Sequence, residues 1–356
     1  MDDDLTLVVG GQRLSGWDSI RVTAGMERCP NDFDLTMTEK YPGAADFAVG
    51  VGDACQVFLG SDPVISGYID KVEPSIGPGQ HTIQVAGRGA CADLVDCAAE
   101  WPGGQISAAS ALAIAQKLCA PYGLTATSTV SDDKPIPQLV LNNGETAFEV
   151  IERVCRFGAM LAYEGPDGNL LLARVGNQKT ASGFVEAVNV ERAAMAYSCD
   201  QQYSEYMVVR MSMDVLQDLG DGGNVVATVN NPAMKRHRRR VIVAEGGDAG
   251  SQVAQQRAVW EANRRFGRSA QLRLTTDSWR DSSGMLYWPN KLVDFSLPTL
   301  KAVDKTWLIS EVTFRRDAGG TACDLLIMHP AAFEPQPILL QQGPADIPVL
   351  SGGGRG

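Results

Sequence analysis

Period-two alternation dominates the first ninety residues. Ile20, Val22, Ala24 and Met26 alternate with mostly polar neighbours, and Phe33, Leu35 and Met37 do the same. Successive side chains of a strand point to opposite faces, so this spacing predicts half-buried strands. Between the two runs, Cys29-Pro30-Asn31-Asp32 is turn chemistry and predicts an antiparallel hairpin with a longer loop. Three more runs follow at Cys55–Leu59, Val64–Val72 and Thr82–Arg88, separated by Gly60-Ser61-Asp62-Pro63 and Gly77-Pro78-Gly79-Gln80. Short strands and turns in this succession predict a small β-barrel or sandwich over residues 1–90.

The period changes between residues 91 and 200. Ile106, Ala109, Leu112, Ala113, Gln116 and Cys119 fall at mostly helical spacing, and Pro121 and Gly123 close the run. A second helix is predicted to start at Thr146, where Thr146-x-x-Glu149 forms a capping box, with Phe148, Ile151, Val154 and Cys155 as its apolar face. Gly158 stands where a C-cap glycine belongs. A hairpin follows, Met160–Glu164 and Leu170–Arg174 around Gly165-Pro166-Asp167-Gly168. This stretch reads as a mixed α/β domain.

Strands return over residues 201–330, at Tyr206–Met213, Val225–Val229, Val241–Ala244, Ala270–Thr275, Leu292–Leu297, Thr306–Phe314 and Ala322–Met328. One helix interrupts them, capped by Ser251, with Val259, Ala262 and Phe266 on one face and Arg264, Arg265 and Arg268 near the C-terminal end of its dipole. Val64-Ile65-Ser66 is echoed by Leu308-Ile309-Ser310, each with a strand before it and another after it. The expected fold is therefore β-rich α+β, with two related small β-barrel domains flanking a mixed α/β domain. Residues 331–356, with Pro335, Pro337, Pro344, Pro348 and a Ser-Gly-Gly-Gly-Arg-Gly end, read as an extended tail.

Charge narrows the functional classes. Against 31 lysines and arginines stand 42 acids, a formal net charge of −11 over 356 residues. Phosphate affinity comes from basic charge, so this balance argues against broad binding to duplex DNA. There is no run of 18 or more uncharged apolar residues. The opening MDDDLTLVVGG is acidic where a secretory signal is basic, and the expected folding compartment is a cytoplasm. The eight cysteines include no C-x-x-C and read as small buried hydrophobes.

A search for catalytic chemistry finds little. His81, His237 and His329 have no cysteine or histidine at metal-ligand spacing, and no nucleophile-elbow, P-loop or zincin motif is present. No cofactor or metal is expected. Glu100, Glu145, Glu149, Glu164 and Asp167 all fall in the middle domain, so a glycosidase-like cell-wall hydrolase using a carboxylate pair is one alternative reading. A nucleic-acid-binding protein is another, resting on the basic run Lys235, Arg236, His237, Arg238, Arg239 and Arg240. That run lacks interleaved aromatics and is read instead as a loop that meets an acidic partner, another copy of this chain among the candidates. Phe333 and the apolar Ile338, Leu339 and Leu340 of the tail are expected to lie against a neighbouring chain.

Gly16-Trp17-x-x-Ile20-Arg21-Val22 followed by Cys29-Pro30-Asn31-Asp32-Phe33-x-Leu35 resembles the opening of the baseplate hub protein of Mu-like phages. Gly52-Asp53, Ile65-Ser66-Gly67-Tyr68-Ile69-Asp70 and Gly87-Arg88 fit the strands that follow in that family. Trp279, Gly284, Leu286, Trp288-Pro289-Asn290, Leu308-Ile309 and His329-Pro330-Ala331-Ala332-Phe333 are similar to its closing pattern. The wider group includes late control protein D and the N-terminal part of VgrG spikes. The resemblance implies a structural, non-enzymatic tail hub in the virion. Such hubs form a homotrimer whose two barrels per chain give a pseudo-sixfold ring, matching the sixfold tail tube on one side and the threefold spike on the other. Tail tube protein, spike protein and other baseplate proteins are the implied partners, with DNA only passing through during genome ejection.

Overall fold

The computed structural model describes residues 4–38, 49–130, 135–157, 159–211, 224–244 and 251–334. Its first unit is built from β1 (Leu5–Val9), β2 (Gln12–Leu14), β3 (Ser19–Gly25), β4 (Asp32–Thr38), β5 (Ala54–Leu59), β6 (Asp62–Gly77) and β7 (Gln80–Gly89). Alternation is what buries them: Leu5, Leu7 and Val9 on β1, and Phe33 and Leu35 on β4, point inward while their neighbours face outward. The strands lie side by side in the order β3-β4-β7-β6-β5-β1-β2.

The middle region runs through α1 (Ala92–Asp96), β8 (Gln105–Ala109), α2 (Ala111–Cys119), β9 (Ala126–Ser128), β10 (Ile136–Val140), α3 (Ala147–Phe157), β11 (Leu161–Glu164) and β12 (Leu170–Ala173). It has its own core, with Ile114, Leu118, Val150, Ile151, Val154 and Leu170 among the buried residues. The capping box forms as expected: Thr146 Oγ1 accepts from the Glu149 N–H at 3.2 Å and the Glu149 carboxylate accepts from the Thr146 N–H at 2.9 Å. The preceding helix starts later than the periodicity predicts. Ile106 lies in β8, opposite Leu139 of β10, and Ser110 caps α2 by accepting from the Ala113 N–H at 3.2 Å. An apolar residue just upstream of a cap extends the helical period without joining the helix. The expected C-cap at Gly158 lies outside the described residues.

The remaining elements are β13 (Phe184–Val185), β14 (Arg192–Tyr197), β15 (Glu205–Met211), β16 (Asn224–Asn230), β17 (Arg239–Ala244), α4 (Ser251–Arg268), β18 (Ala270–Thr276), β19 (Leu292–Leu297), β20 (Ala302–Asp317) and β21 (Gly320–Met328). Six of these strands form a second unit in the order β14-β18-β21-β20-β19-β13. Between β14 and β18 sits an insertion in which α4 packs on a separate sheet ordered β16-β15-β17. The buried side of α4 includes Ala254, Ala258 and Ala262; Phe266, expected on that face, is exposed. Small residues let the helix approach its sheet closely; Phe266, one turn beyond Ala262 on the same stripe, instead meets the His329 ring edge-on at 5.5 Å between ring centres and stays part-exposed.

The second unit repeats the first in detail. In each, a 16-residue strand (β6, β20) is paired over its first half with the strand before it and over its second half with the strand after it. Each long strand carries a bulge, between Ile69 and Lys71 in one and between Ile309 and Glu311 in the other. From bulge to turn the pairs run from Lys71↔Ala86 to Gly77↔Gln80 and from Glu311↔Leu326 to Asp317↔Gly320, so residues 240 positions apart are equivalent along both hairpins. The neighbouring strands keep step: Phe33 and Leu35 on β4 match Leu272 and Leu274 on β18, all buried. The sequence echo at Ile65-Ser66 and Ile309-Ser310 thus marks a real repeat in a register four residues off. Ile309 corresponds to Ile69, because the bulges, not the shared dipeptide, set the alignment. The two units differ at one edge, where β1 runs antiparallel to β5 but β13 runs parallel to β19.

The β-rich α+β class holds, but the ladders of the described residues do not close into barrels. The second half of β20 pairs with β3 on the edge left vacant by β19, from Glu311↔Gly25 to Arg316↔Ile20. This joins the two units into one 13-stranded sheet over one hydrophobic core.

Candidate functional site

The β3–β20 junction is where the two repeats meet. Val312 and Phe314 lie opposite Ala24 and Val22, and all four are buried. Trp279 is fully buried above this seam, edge-on to Phe314 at 6.2 Å between ring centres. Its indole N–H reaches the carbonyls of Arg315 at 3.2 Å and Ala322 at 3.0 Å, so the ring contributes apolar area without an unpaired donor. Across the sheet Thr23 and Thr313 hydroxyls are 3.2 Å apart. Arg280 adds a polar tie, donating to Asp62 at 2.5 Å and to the carbonyls of Leu59 and Gly284 at 2.9 Å. Core packing, cross-strand pairs and a guanidinium fork all fix one unit against the other.

A buried carboxylate fixes the middle region to the first unit. Glu164, at the end of β11, accepts from the backbone N–H of Asn31 at 2.7 Å and of Cys91 at 2.9 Å. It is 2% exposed, and Gly89 leaves the space for it: a Cβ there would stand 2.0 Å from the carboxylate. Burial pushes its pKa up to about 7, against the pull of the two N–H groups toward the charged form. A raised carboxyl pKa is a signature of general acids, but both oxygens here are occupied by backbone donors and sealed from solvent. Glu164 is a clamp between segments, and the carboxylate-pair reading finds no support at this residue.

The other sequence candidates divide. Arg238 donates to the carbonyls of Cys199 at 2.9 Å and Asp200 at 2.7 Å and lies 4.9 Å over the Tyr203 ring. Arg239 pairs with Glu205 at 2.5 Å, and Arg240 lies 5.9 Å over Tyr203. These three charges brace the insertion, while Lys235 and Arg236 stand exposed in the loop before β17. Phe333, expected against a neighbour, is instead fully buried with Met26, Leu308, Met328 and Ala332 of its own chain. The reason is close packing: Gly267 of α4 brings the helix against Ala332, where a Cβ would lie 2.3 Å from the Ala332 nitrogen. Ile338, Leu339 and Leu340 lie outside the described residues.

All eight cysteines are free thiols, and Cys55, Cys91, Cys119, Cys155 and Cys323 are buried. Burial pushes the Cys55 and Cys119 thiols up to about 12, which leaves them unreactive. His81 lies in β7 opposite Ile76, His237 in the exposed basic loop, and His329 accepts from the Ala331 N–H at 3.2 Å. Among the described residues no three His, Cys, Asp or Glu side chains converge on a metal position, and no helix is long and apolar enough to cross a membrane.

Three family models match in succession. They are the N-terminal part of the Mu phage baseplate assembly protein GpP-like family over residues 4–89, the second domain of the baseplate hub protein gp44-like family over 91–174, and the fourth domain of the Mu phage baseplate assembly protein GpP over 250–336. The baseplate hub protein gp44 of Escherichia phage Mu is 29% identical over 322 residues, 88% of this chain and 84% of that one. This chain belongs to the Mu-like baseplate hub family. The 43 kDa tail protein of prophage MuSo2 from Shewanella oneidensis is similar over 93% of this chain and 99% of its own, at 28% identity and a TM-score of 0.83. A tail protein from Neisseria meningitidis shares the fold at 18% identity, with a TM-score of 0.79 over 94% of this chain and 98% of its own. The hub chain is thus a structural tail component and not an enzyme.

Sequence reasoning missed the β3–β20 seam and the Glu164 clamp. For the first, the sequence signal was the echo of Ile65-Ser66 at Ile309-Ser310, which does not encode the bulges that set the register. For the second no local signal existed, because Glu164, Asn31 and Cys91 meet only in the fold.

Proposed function

We propose that the hub chain forms a homotrimeric ring of pseudo-sixfold symmetry. In this reading the ring adapts the sixfold tail tube to the threefold spike and lets DNA pass. The supporting observation is the repeat: two related β units per chain, with six strands of each in one order and matching hairpin registers, supply six similar parts from three chains. A head-to-tail contact between non-identical surfaces either closes into a ring or grows into a filament, and a hub must close. We divide the chain into a first β domain over 1–90, a mixed domain from 91 to the end of β12, a second β domain from β13 to residue 334 and a tail over 335–356. The boundary expected at 200 moves because β13 and β14 pair in the second unit's sheet, and that at 331 because Phe333 is packed in the core. The tail tube protein, a spike protein and other baseplate proteins are the partners in this reading, with assembly in the host cytoplasm and residence in the tail baseplate. Light scattering on the purified chain tests it. A mass of about 114 kDa, three times 38.1 kDa, is expected, and a chain that stays monomeric at high concentration counts against the ring.

A further inference from the structure

The inner seam leaves two strand edges without a partner, and they are the counterparts of the two edges that meet in it. β3 of the first unit pairs with the second half of β20. The strand equivalent to β3 is β14, and it stands at the free end of the 13-stranded sheet. The segment equivalent to the second half of β20 is Lys71–Gly77 of β6, which lies beyond the last β5 pair, Ala54↔Tyr68. Among the described residues neither edge has a neighbour in the sheet.

We propose that β14 of one hub chain pairs with the second half of β6 of the next, reproducing between chains the β3–β20 ladder found within one. This rests on the ring reading above and names its contact surface. The register follows from the repeat. Ser19↔Thr36 and Arg192↔Thr275 make Ser19 and Arg192 equivalent, so Glu311↔Gly25 becomes Lys71↔Ser198 and Arg316↔Ile20 becomes Ile76↔Ala193.

Side-chain chemistry agrees with that register. On one face it sets Val72, Pro74 and Ile76 opposite Tyr197, Met195 and Ala193. Val72, Met195 and Ala193 are already packed against the main core at their inner sides. Ile76 is 89% exposed and Tyr197 64% exposed, two of the large apolar side chains the isolated chain leaves in water. The counterparts of Val72, Pro74, Met195 and Tyr197 in the inner seam are the buried Val312, Phe314, Val22 and Ala24, while Ile76 takes the place that Arg316 holds there. The pairing would therefore extend a core that already exists. Pro74 has no N–H, a feature proteins use to discourage unselective pairing at an edge, so side-chain match carries more of the selectivity here than in the inner seam.

Cysteine cross-linking tests the register. In a Cys199→Ser background, which removes the exposed native thiol, Ser75→Cys and Ala194→Cys fall directly opposite each other across the proposed contact. Directly opposed strand residues lie about 4.5–5.5 Å apart at Cα, within disulfide reach. Mild oxidation should give a covalent trimer on a non-reducing gel. Ser75→Cys with Ala193→Cys, whose side chain turns to the other face, should give little. Ile76→Asp with Tyr197→Asp, both on exposed positions, should keep the circular dichroism of the parent and lose the trimer. A 114 kDa parent with no cross-link in Ser75→Cys/Ala194→Cys overturns the edge pairing and leaves the ring standing. A parent that stays at 38.1 kDa and forms no cross-link overturns both.

Discussion

Replacing Glu164 by glutamine removes a titrating group while keeping its size, and the consequence can be worked out with its sign. The Glu164 carboxyl moves from an ordinary 4.5 to about 7 in the folded chain because burial disfavours its charge. Between these values the folded state holds a proton that the unfolded state has released, so stability falls as pH rises through this window. At 1.36 kcal/mol per pH unit the whole effect is about 3 kcal/mol, present in full below pH ~4.5 and lost above pH ~7. Between pH ~5.5 and ~8, a range that avoids the sequence pI of 4.8, about 2 kcal/mol of it should be visible. Asp281, Asp294 and Asp324, whose pKa values are lowered, lose stability in the opposite direction as pH falls. They are common to both proteins and cancel in the comparison. Urea unfolding of parent and Glu164→Gln at several pH values should therefore show the variant gaining about 2 kcal/mol on the parent from pH ~5.5 to ~8. Parallel pH profiles would refute the argument, since they would mean that the Asn31 and Cys91 N–H groups outweigh burial and keep the carboxylate charged throughout.

Two further substitutions probe the packing between segments. Gly168 has φ of +78° and sits where a Cβ would lie 2.3 Å from the Ser66 carbonyl, so Gly168→Ala combines backbone strain with a clash. A loss of about 3 kcal/mol is expected by urea unfolding, and a neutral result would show that the 165–168 turn can move away from β6. Phe333→Ala empties a fully buried site between α4 and the β20–β21 hairpin and should cost about 3–5 kcal/mol, read as a fall in thermal midpoint. An unchanged midpoint would mean that the segment after Pro330 is not part of the folded core.

Much of the local structure was legible in advance because its causes are local. Alternation placed β3, β4 and β7, and the Thr146–Glu149 box placed the start of α3. Ile106 misled because a helical period continues through it although a strand claims it. The basic run was visible as charge, but Cys199, Asp200, Tyr203 and Glu205, which engage Arg238, Arg239 and Arg240, lie some 35 residues away in the chain. Phe333 looked like part of a loose tail because the pocket that takes it is made by Met26, Leu308 and Met328.

By itself, the sequence determined the β-rich class, the turns and the Thr146 cap, since each depends on residues within a few positions of one another, and its Ile-Ser echo marked a repeat without its register. Tertiary structure alone decided the register of that repeat, the seam between β3 and β20, the clamp at Glu164 and the two edges left open among the described residues. Those features join residues separated by up to about 290 positions, as at Thr23 and Thr313, and no local pattern encodes which distant strands meet. Pairing there follows from burying a shared core, and two bulged hairpins set its register.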